Sequence, residues 1–597
     1  MRCLCRHRVL LASLFFVSAC GGGLGAAHSQ SSQPGASFQI ERAPAEQAEA
    51  SELISFLKHE LAVNLERLQH DELETPAYFL AYDVVASDEL LLEARDGVLT
   101  RNHQDRGRLL DVDVRVGSPA LDNSHSRDGN YGGNGLGLGM EVALDDIELS
   151  LAQALWVGTE LQYKDAMEAL SQVESSELLL TRSEDIVHPD FSEEKSMVDI
   201  QPLVELDFEA ITKQWKVRIE QASRLLADHA DVYSSAVMMS VRVETRIFVN
   251  SEGSEVQGSR VRTRLILQAN SQAEDGMAIE RFQAFDVHNV EELPHEEELQ
   301  AAALRLRKEL LALRDAPLAE PYTGPAVLEG PAAGVFFHEI FGHRLEGHRQ
   351  KDDLEGQTFT HMLGQSILPK FLDVVDDPTV SRLNGVPMNG HYFIDDEAVK
   401  AQRVVLVESG KLKGFLLGRS PVLPFAQSNG HGRREVGNQV VARQGNLIVS
   451  ARKTMPEKKL RDALIREAKR QGKPYGLWFK DIQGGYTITD RSGPQAFKVL
   501  PLMVYRVWTD GREDELVRGA DIVGTPLAAF ETISAAGDQP GVFNGLCGAE
   551  SGWVPVSAVS PSLLLKKLEI ERAVHGRNRP PLLVAPADRE QHLKGAL

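Results

Sequence analysis

At 597 residues the chain is too long for one ordinary domain. Its composition, 42% hydrophobic and 25% charged, suits a globular protein with sizeable cores. A formal net charge of −22 argues against nucleic acid as the main partner, because phosphate binding needs a basic footprint.

Arg2, Arg6 and Arg8 precede a short apolar stretch, 9–17, that is too short to span a bilayer as a permanent helix. The following Val17-Ser18-Ala19-Cys20 resembles a bacterial lipoprotein signal. That resemblance implies a signal over residues 1–20 that is cleaved before Cys20, lipidation of the Cys20 sulfur, and an exported protein anchored to the cell envelope. Gly21, rather than an acid, after the cysteine favours the periplasm-facing outer membrane of a Gram-negative host. An ordinary secretory peptide cut near Ala27 is the alternative. Cys3 and Cys5 would leave with the signal, so Cys547 would be the one remaining thiol, in a compartment where disulfides form.

Residues 21–42, rich in Gly, Ser, Gln and Ala, read as a flexible tether. Ile54, Leu57, Leu61, Leu65 and Leu68 recur at helical spacing and predict a helix over roughly 44–70. Leu110, Val112, Val114 and Val116 alternate with charged residues, as in a half-buried strand. A Gly/Asn-rich loop covers 119–139, and helices are predicted near 141–180 and 203–230. Residues 235–269 read as a hairpin turning at Ser251-Glu252-Gly253. A helix near 294–314 leads to Pro317, Pro321 and Pro325, where the main domain boundary is placed. This gives an amino-terminal domain over 43–320 and a carboxy-terminal domain over 321–597. In the second half, strands are expected at 371–375, 404–408, 412–417, 439–442 and 496–507, with one helix at about 456–470. Gly484-Gly485 and 541–548 are expected to form tight turns between strands.

The chemistry concentrates in His338-Glu339-Ile340-Phe341-Gly342-His343. Two imidazoles can hold a metal ion, and a carboxylate beside the first can act as general base on a metal-activated water. The histidines stand at i and i+5, which separates them by roughly 140° on an ideal helix, so their convergence requires a wide turn such as a π-bulge. Gly342 is placed to permit it. A catalytic zinc site wants a third protein ligand. Glu346 and His348 are near candidates, more readily read as partners that support the ligands from behind or as solvated residues; Cys547 is the distant one. Asp395-Asp396-Glu397 reads as a solvated or fold-supporting cluster rather than a second metal site. Arg433 and Arg434 read as surface pairs, with a substrate carboxylate as the other option.

Taken together, the segment 335–347 around the histidines, Asp376-Asp377-Pro378-Thr379, Ile394-Asp395-Asp396-Glu397, 428–434, Gly484-Gly485, Val517-Arg518-Gly519, Leu546-Cys547-Gly548 and Val554-Pro555-Val556-Ser557 resemble, in order, the TldD/PmbA family of metallopeptidases. The resemblance covers about 320–570 and is closest to the catalytic TldD-type subunit, because the histidine motif is present. It implies an α+β protein: an α/β amino-terminal domain followed by a β-rich, barrel-like, metal-binding carboxy-terminal domain. It implies His338, His343 and Cys547 as ligands of one Zn2+ or another divalent ion per chain, with Glu339 as general base. It also implies peptide substrates, small or unfolded, and a homodimer or a heterodimer with a relative that lacks the motif. Phe341 is bulkier than expected at its position, His348 replaces an acid, and the export signal is unusual among relatives. The competing readings are an inactive envelope scaffold or partner subunit, and a non-hydrolytic metal protein.

Overall fold

The structure is a computed structural model. It describes residues 39–573 other than 44–46, 71–72, 74, 126–137, 180–187, 352–354, 356, 488, 490–496 and 525. Cys20, the signal, nearly all of the tether and most of the Gly/Asn-rich loop lie outside the described residues. Among the described residues, no helix is long and apolar enough to cross a membrane.

In the amino-terminal half, long strands carry a two-residue alternation. Ala77–Arg95, Val98–Ser118, Ser234–Asn250, Glu255–Gln272 and Ala278–Val287 form successive antiparallel pairs of one sheet, with Ala77–Arg95 between Val98–Ser118 and Ser234–Asn250. Val237, Met239 and Val241 are buried, as are Leu265 and Leu267, which stand opposite Met239 and Val237. One face is therefore apolar, and it is the face covered by helices. Phe208–Ala227 lays Ile211, Trp215, Ile219, Ala222 and Leu226 on it at helical spacing, and Glu296–Asp315 adds Leu299, Ala303, Leu306 and Leu310. The first of these helices begins at Asp207, whose carboxylate accepts from Ala210 N at 2.9 Å. Glu52–Leu68 and Glu148–Leu179 cover the other end of the same face. The hairpin turns at Ser251-Glu252-Gly253 as its pattern predicts, with Gly253 at φ +89°. The first helix is shorter than its predicted 44–70, because the chain ahead of it is drawn to the sheet: Ala48 N donates to Ile200 O at 2.9 Å.

The second sheet closes on itself. Tyr322–Leu328 pairs with Tyr475–Thr487, which pairs with Phe497–Trp508, then Ala520–Gly524, then Gly552–Arg572, and Gly552–Arg572 pairs back with Tyr322–Leu328. Closure removes exposed edges and leaves an interior to be filled. The helix Gly330–Phe337 brings Phe336 and Phe337 into that core, where they meet Phe341 and Phe530. The α+β class and the barrel-like second sheet both stand as expected.

Several local expectations need correction. Gly484-Gly485 is not a turn: it lies inside the strand Tyr475–Thr487, where the register shifts, and Gly541, Gly545 and Gly548 lie inside Ile533–Ala549. These glycines mark close approach rather than chain reversal. The strand expected over 412–417 contracts to Lys411–Leu412. Residues 40–41, at the end of the presumptive tether, pair with Arg382–Leu383, and Arg42 donates to Asp377 at 2.8 Å. Arg433 is buried and Arg434 partly buried, so neither is a surface pair. Arg434 reaches across to Asp83 at 2.8 Å and Asp111 at 3.0 Å of the first sheet, beside Arg246, which pairs with Asp83 and Asp396. Asp395 supports the fold from a buried position, accepting from Glu397 N, Val399 N and Gly432 N.

Candidate metal centre

The helix Gly330–Phe337 runs directly into one π-helical turn, His338–Gly342. This wider turn answers the i, i+5 spacing. The imidazoles of His338 and His343 end on one side, with ring centroids 4.9 Å apart at 75°. Gly342 is needed for space rather than for an unusual backbone: its φ is −58°, and a β-carbon there would overlap Gln444 Oε1.

Cys547 arrives from Ile533–Ala549 with its sulfur 3.4 Å from His343 Nε2. One donor atom from each of His338, His343 and Cys547 lies within 4.8 Å of the others, and all three residues are buried. His338 Nδ1 is also buried without a hydrogen-bond partner. Two imidazoles, a thiol and an unsatisfied ring nitrogen converging in this way fit a divalent ion of the zinc type. Burial raises the Cys547 thiol, but His343, Arg443 and His338 outweigh it and hold the thiol well below its ordinary value, the ionisation state a ligand needs. Burial likewise depresses His343, but Glu346 and Cys547 hold it well above its ordinary value.

Glu339 lines the same cleft, of about 260 Å³, with the two histidines, Cys547 and Gly484 to Thr487. Burial raises its carboxyl, against the opposing pull of His338 and His343. Gly485 makes room for it: a β-carbon at 485 would come 2.8 Å from Glu339 Cγ and 3.0 Å from Lys498 O.

Behind the ligands lies a buried charge network. Both Glu346 oxygens are 3.2 Å from His343 Nδ1, which orients the ring and leaves Nε2 facing Cys547. Burial would raise Glu346, but His343 and Arg349 bring it down to about 2. Arg349 Nε donates to Glu346 at 2.9 Å and Nη2 to Glu550 at 2.8 Å; His348 also pairs with Glu550. Glu346 and His348 therefore sit behind the ligand set. Arg443, fully buried, lies 3.6 Å from Glu346 and donates from Nη2 to Cys547 O at 2.8 Å, tying the cysteine strand to the histidine segment. Arg443, Gln444 and Glu550 were missed by sequence reasoning. Glu346 had a signal, its position three residues after His343; the others are about 100 to 200 residues from the histidines and carry no local pattern.

Residues 321–572 match the PmbA/TldA metallopeptidase C-terminal domain. A metalloprotease of Methanothermobacter thermautotrophicus is 26% identical over 351 residues, 56% of this chain and 69% of that protein. The metalloprotease TldD homolog of Buchnera aphidicola subsp. Acyrthosiphon pisum is 27% identical over 252 residues, 42% of this chain and 48% of its own length, so the match spans about half of that relative. The crystal structure of TldE from Thermococcus kodakarensis superposes with a TM-score of 0.56 at 13% identity, covering 86% of this chain and 99% of that one. At such identity the likeness is one of fold.

Proposed function

For a chain that belongs to the TldD/PmbA family, we propose a metal-dependent peptidase that hydrolyses peptide bonds in small or unfolded peptides. The observation that carries this reading is the convergence of His338, His343 and Cys547 beside Glu339 on one cleft. These three residues would hold one zinc or other divalent ion per chain. When bound, such an ion supplies Lewis-acid polarisation of a carbonyl and acidifies water. A Glu339 carboxylate oxygen takes the proton from the attacking water and returns it to the leaving amine. Glu346 holds the His343 ring, and Arg443 holds the Cys547 backbone, so the ligand atoms are preorganised. The cleft is lined by glycines, which admit a main chain close to Glu339.

Metal content per chain, measured by elemental mass spectrometry beside cleavage of an unfolded peptide, tests the proposal. We expect about one zinc per chain, sharply reduced in Cys547→Ser. In Glu339→Gln the metal should remain while turnover falls by about 10²- to 10⁴-fold. Unchanged cleavage by Glu339→Gln, or no bound metal after zinc is supplied, overturns it.

The same reading includes a dimer, either of two copies or with a related subunit lacking the histidine motif; the fold likeness to a protein named TldE supports it. It also includes an envelope location through lipidated Cys20. Intact mass of the mature amino terminus checks the latter: an unmodified terminus other than Cys20 rules it out.

A further inference from the structure

The amino-terminal sheet has a second face, turned away from its helices, that the peptidase reading leaves unused. The strand register sets Arg242 opposite Arg262, Glu244 opposite Arg260, Ser240 opposite Arg264, and Arg264 opposite Asp286. Directly opposed residues share a face, so these four guanidiniums are gathered on it with Glu244, Asp286 and, opposite Arg242 on the neighbouring strand, Glu89. Glu244 lies 3.5 Å from Arg242 and 3.3 Å from Arg262, and Asp286 lies 3.5 Å from Arg264. Among the described residues the Arg260 side chain makes no hydrogen bond or ion pair.

A fifth guanidinium approaches from the carboxy-terminal domain. Arg433 is 3% exposed, lies over the Tyr392 ring at 4.8 Å and donates from Nη1 to Gln444 O at 2.6 Å. Burial and the like charges of Arg242, Arg260 and Arg433 hold Arg262 below its ordinary value, although Glu244 opposes them. Solvent still reaches the face: the side chains of Arg242 and Arg262 are 32% and 28% exposed. Directly opposed like charges are destabilising, and Glu244, Asp286 and Glu89 are fewer than the four arginines they face. In a chain of net charge −22 this is a local reversal of sign.

We propose that this arginine face binds the carboxylates of an acidic peptide lying in extended form. Arg260, Arg262 and Arg264 occupy every second position of one strand, so their side chains repeat at about 6.6–6.8 Å. Acidic side chains at alternate positions of an extended peptide have the same repeat, whereas a single small anion engages only one or two of these guanidiniums. Arginine pairs with carboxylate through two parallel hydrogen bonds, which favours this ligand geometrically. Arg433 is also linked to the histidine segment: Gln444 accepts from it through its carbonyl and donates from Nε2 to His338 O at 3.4 Å. The assignment thus deepens the peptidase reading by giving it a preference for acidic substrates, and it rests on that reading only for this consequence. The binding itself needs neither metal nor turnover.

The test uses the metal-free full chain and fluorescence anisotropy with a labelled decapeptide bearing Glu at alternate positions, beside its Gln counterpart. We expect the Glu peptide to bind at least about tenfold more tightly than the Gln peptide, and to lose most of that affinity as salt rises from low to high. Arg260→Gln with Arg262→Gln should remove the difference. Glu244→Gln, which leaves all the arginines in place, should tighten the Glu peptide and so guards against misfolding of the double variant. Equal affinity for the two peptides, or a difference that survives in the double variant, overturns the proposal. So does displacement by inorganic phosphate or a single-stranded oligonucleotide at lower concentration than by unlabelled Glu peptide. Because no cleavage is read, a failed peptidase assay and a failed binding assay remain separate results.

Discussion

Gly485 faces the side chain on which the proposed proton transfer depends. A methyl group there meets Glu339 Cγ and the Lys498 carbonyl, and the latter is backbone that cannot step aside. Overpacking of this kind costs about 1–3 kcal/mol, so Gly485→Ala should slow peptide cleavage by roughly 5- to 100-fold while leaving metal content near that of the wild type. Steady-state kinetics beside elemental analysis checks this; loss of metal together with activity would place the glycine's role in the fold instead. Gly342 differs in kind. Its obstructing neighbour is the end of Gln444, a flexible side chain that can move, but whose amide donates to His338 O. Gly342→Ala should therefore change the melting temperature little, yet weaken metal binding by about 10- to 100-fold, the size seen when partners behind a ligand are lost. Competition with a zinc-chelating dye measures it.

At the scale of elements, the π turn His338–Gly342 converts an unfavourable sequence spacing into a convergent pair of imidazoles. The spacing announced that some distortion was required. It did not announce that Cys547 would arrive on a long strand, Ile533–Ala549, or that Arg443 would hold that strand by the Cys547 carbonyl. The glycines at 484–485 and 541–548 were misread as turns for the same reason. A glycine in a strand and a glycine in a turn look alike locally, and only the neighbour that fills the missing side-chain space separates them. Elements with a clear period were legible, because alternation at Leu110, Val112, Val114 and Val116, and helical spacing at Ile54, Leu57 and Leu61, report the face each buries, whereas the long strands Ile533–Ala549 and Gly552–Arg572 were not expected.

At the scale of the molecule, the two halves are joined by buried charges. Arg434 pairs with Asp83 and Asp111, and its side chain is 9% exposed. Arg434→Met leaves Asp111 buried without that partner, and the expected loss is about 3–5 kcal/mol in a denaturant titration. Adding Asp111→Asn should recover part of it; no recovery would mean that packing dominates. His391 and His288 add a pH dependence at the same junction. Burial, with the charges of His288 and Arg260, pushes His391 down to about 4, although the Pro378 carbonyl favours the charged form; burial also lowers His288. A depressed folded value means that the neutral ring is the form the fold keeps. Its stabilising contribution is complete above the ordinary value of 6.5 and is lost as pH falls toward 4. The drop in melting temperature from pH 7 to pH 5 should accordingly be smaller in His391→Gln than in the wild type.

The sequence by itself determined the local elements, the metal-type motif at His338, Glu339 and His343, and the family resemblance, because periodicity and short ordered motifs are properties of neighbouring residues. It offered Cys547 as the distant candidate donor beside Glu346 and His348, and the resemblance made it the third ligand. Tertiary structure alone decided which distant groups meet: Arg443 between Glu346 and Cys547, Arg434 across to Asp83, and the arginine face that Arg433 approaches from the other domain. Those meetings depend on strand register and on closure of the second sheet, and both are set by the burial of whole faces rather than by any local run of residues.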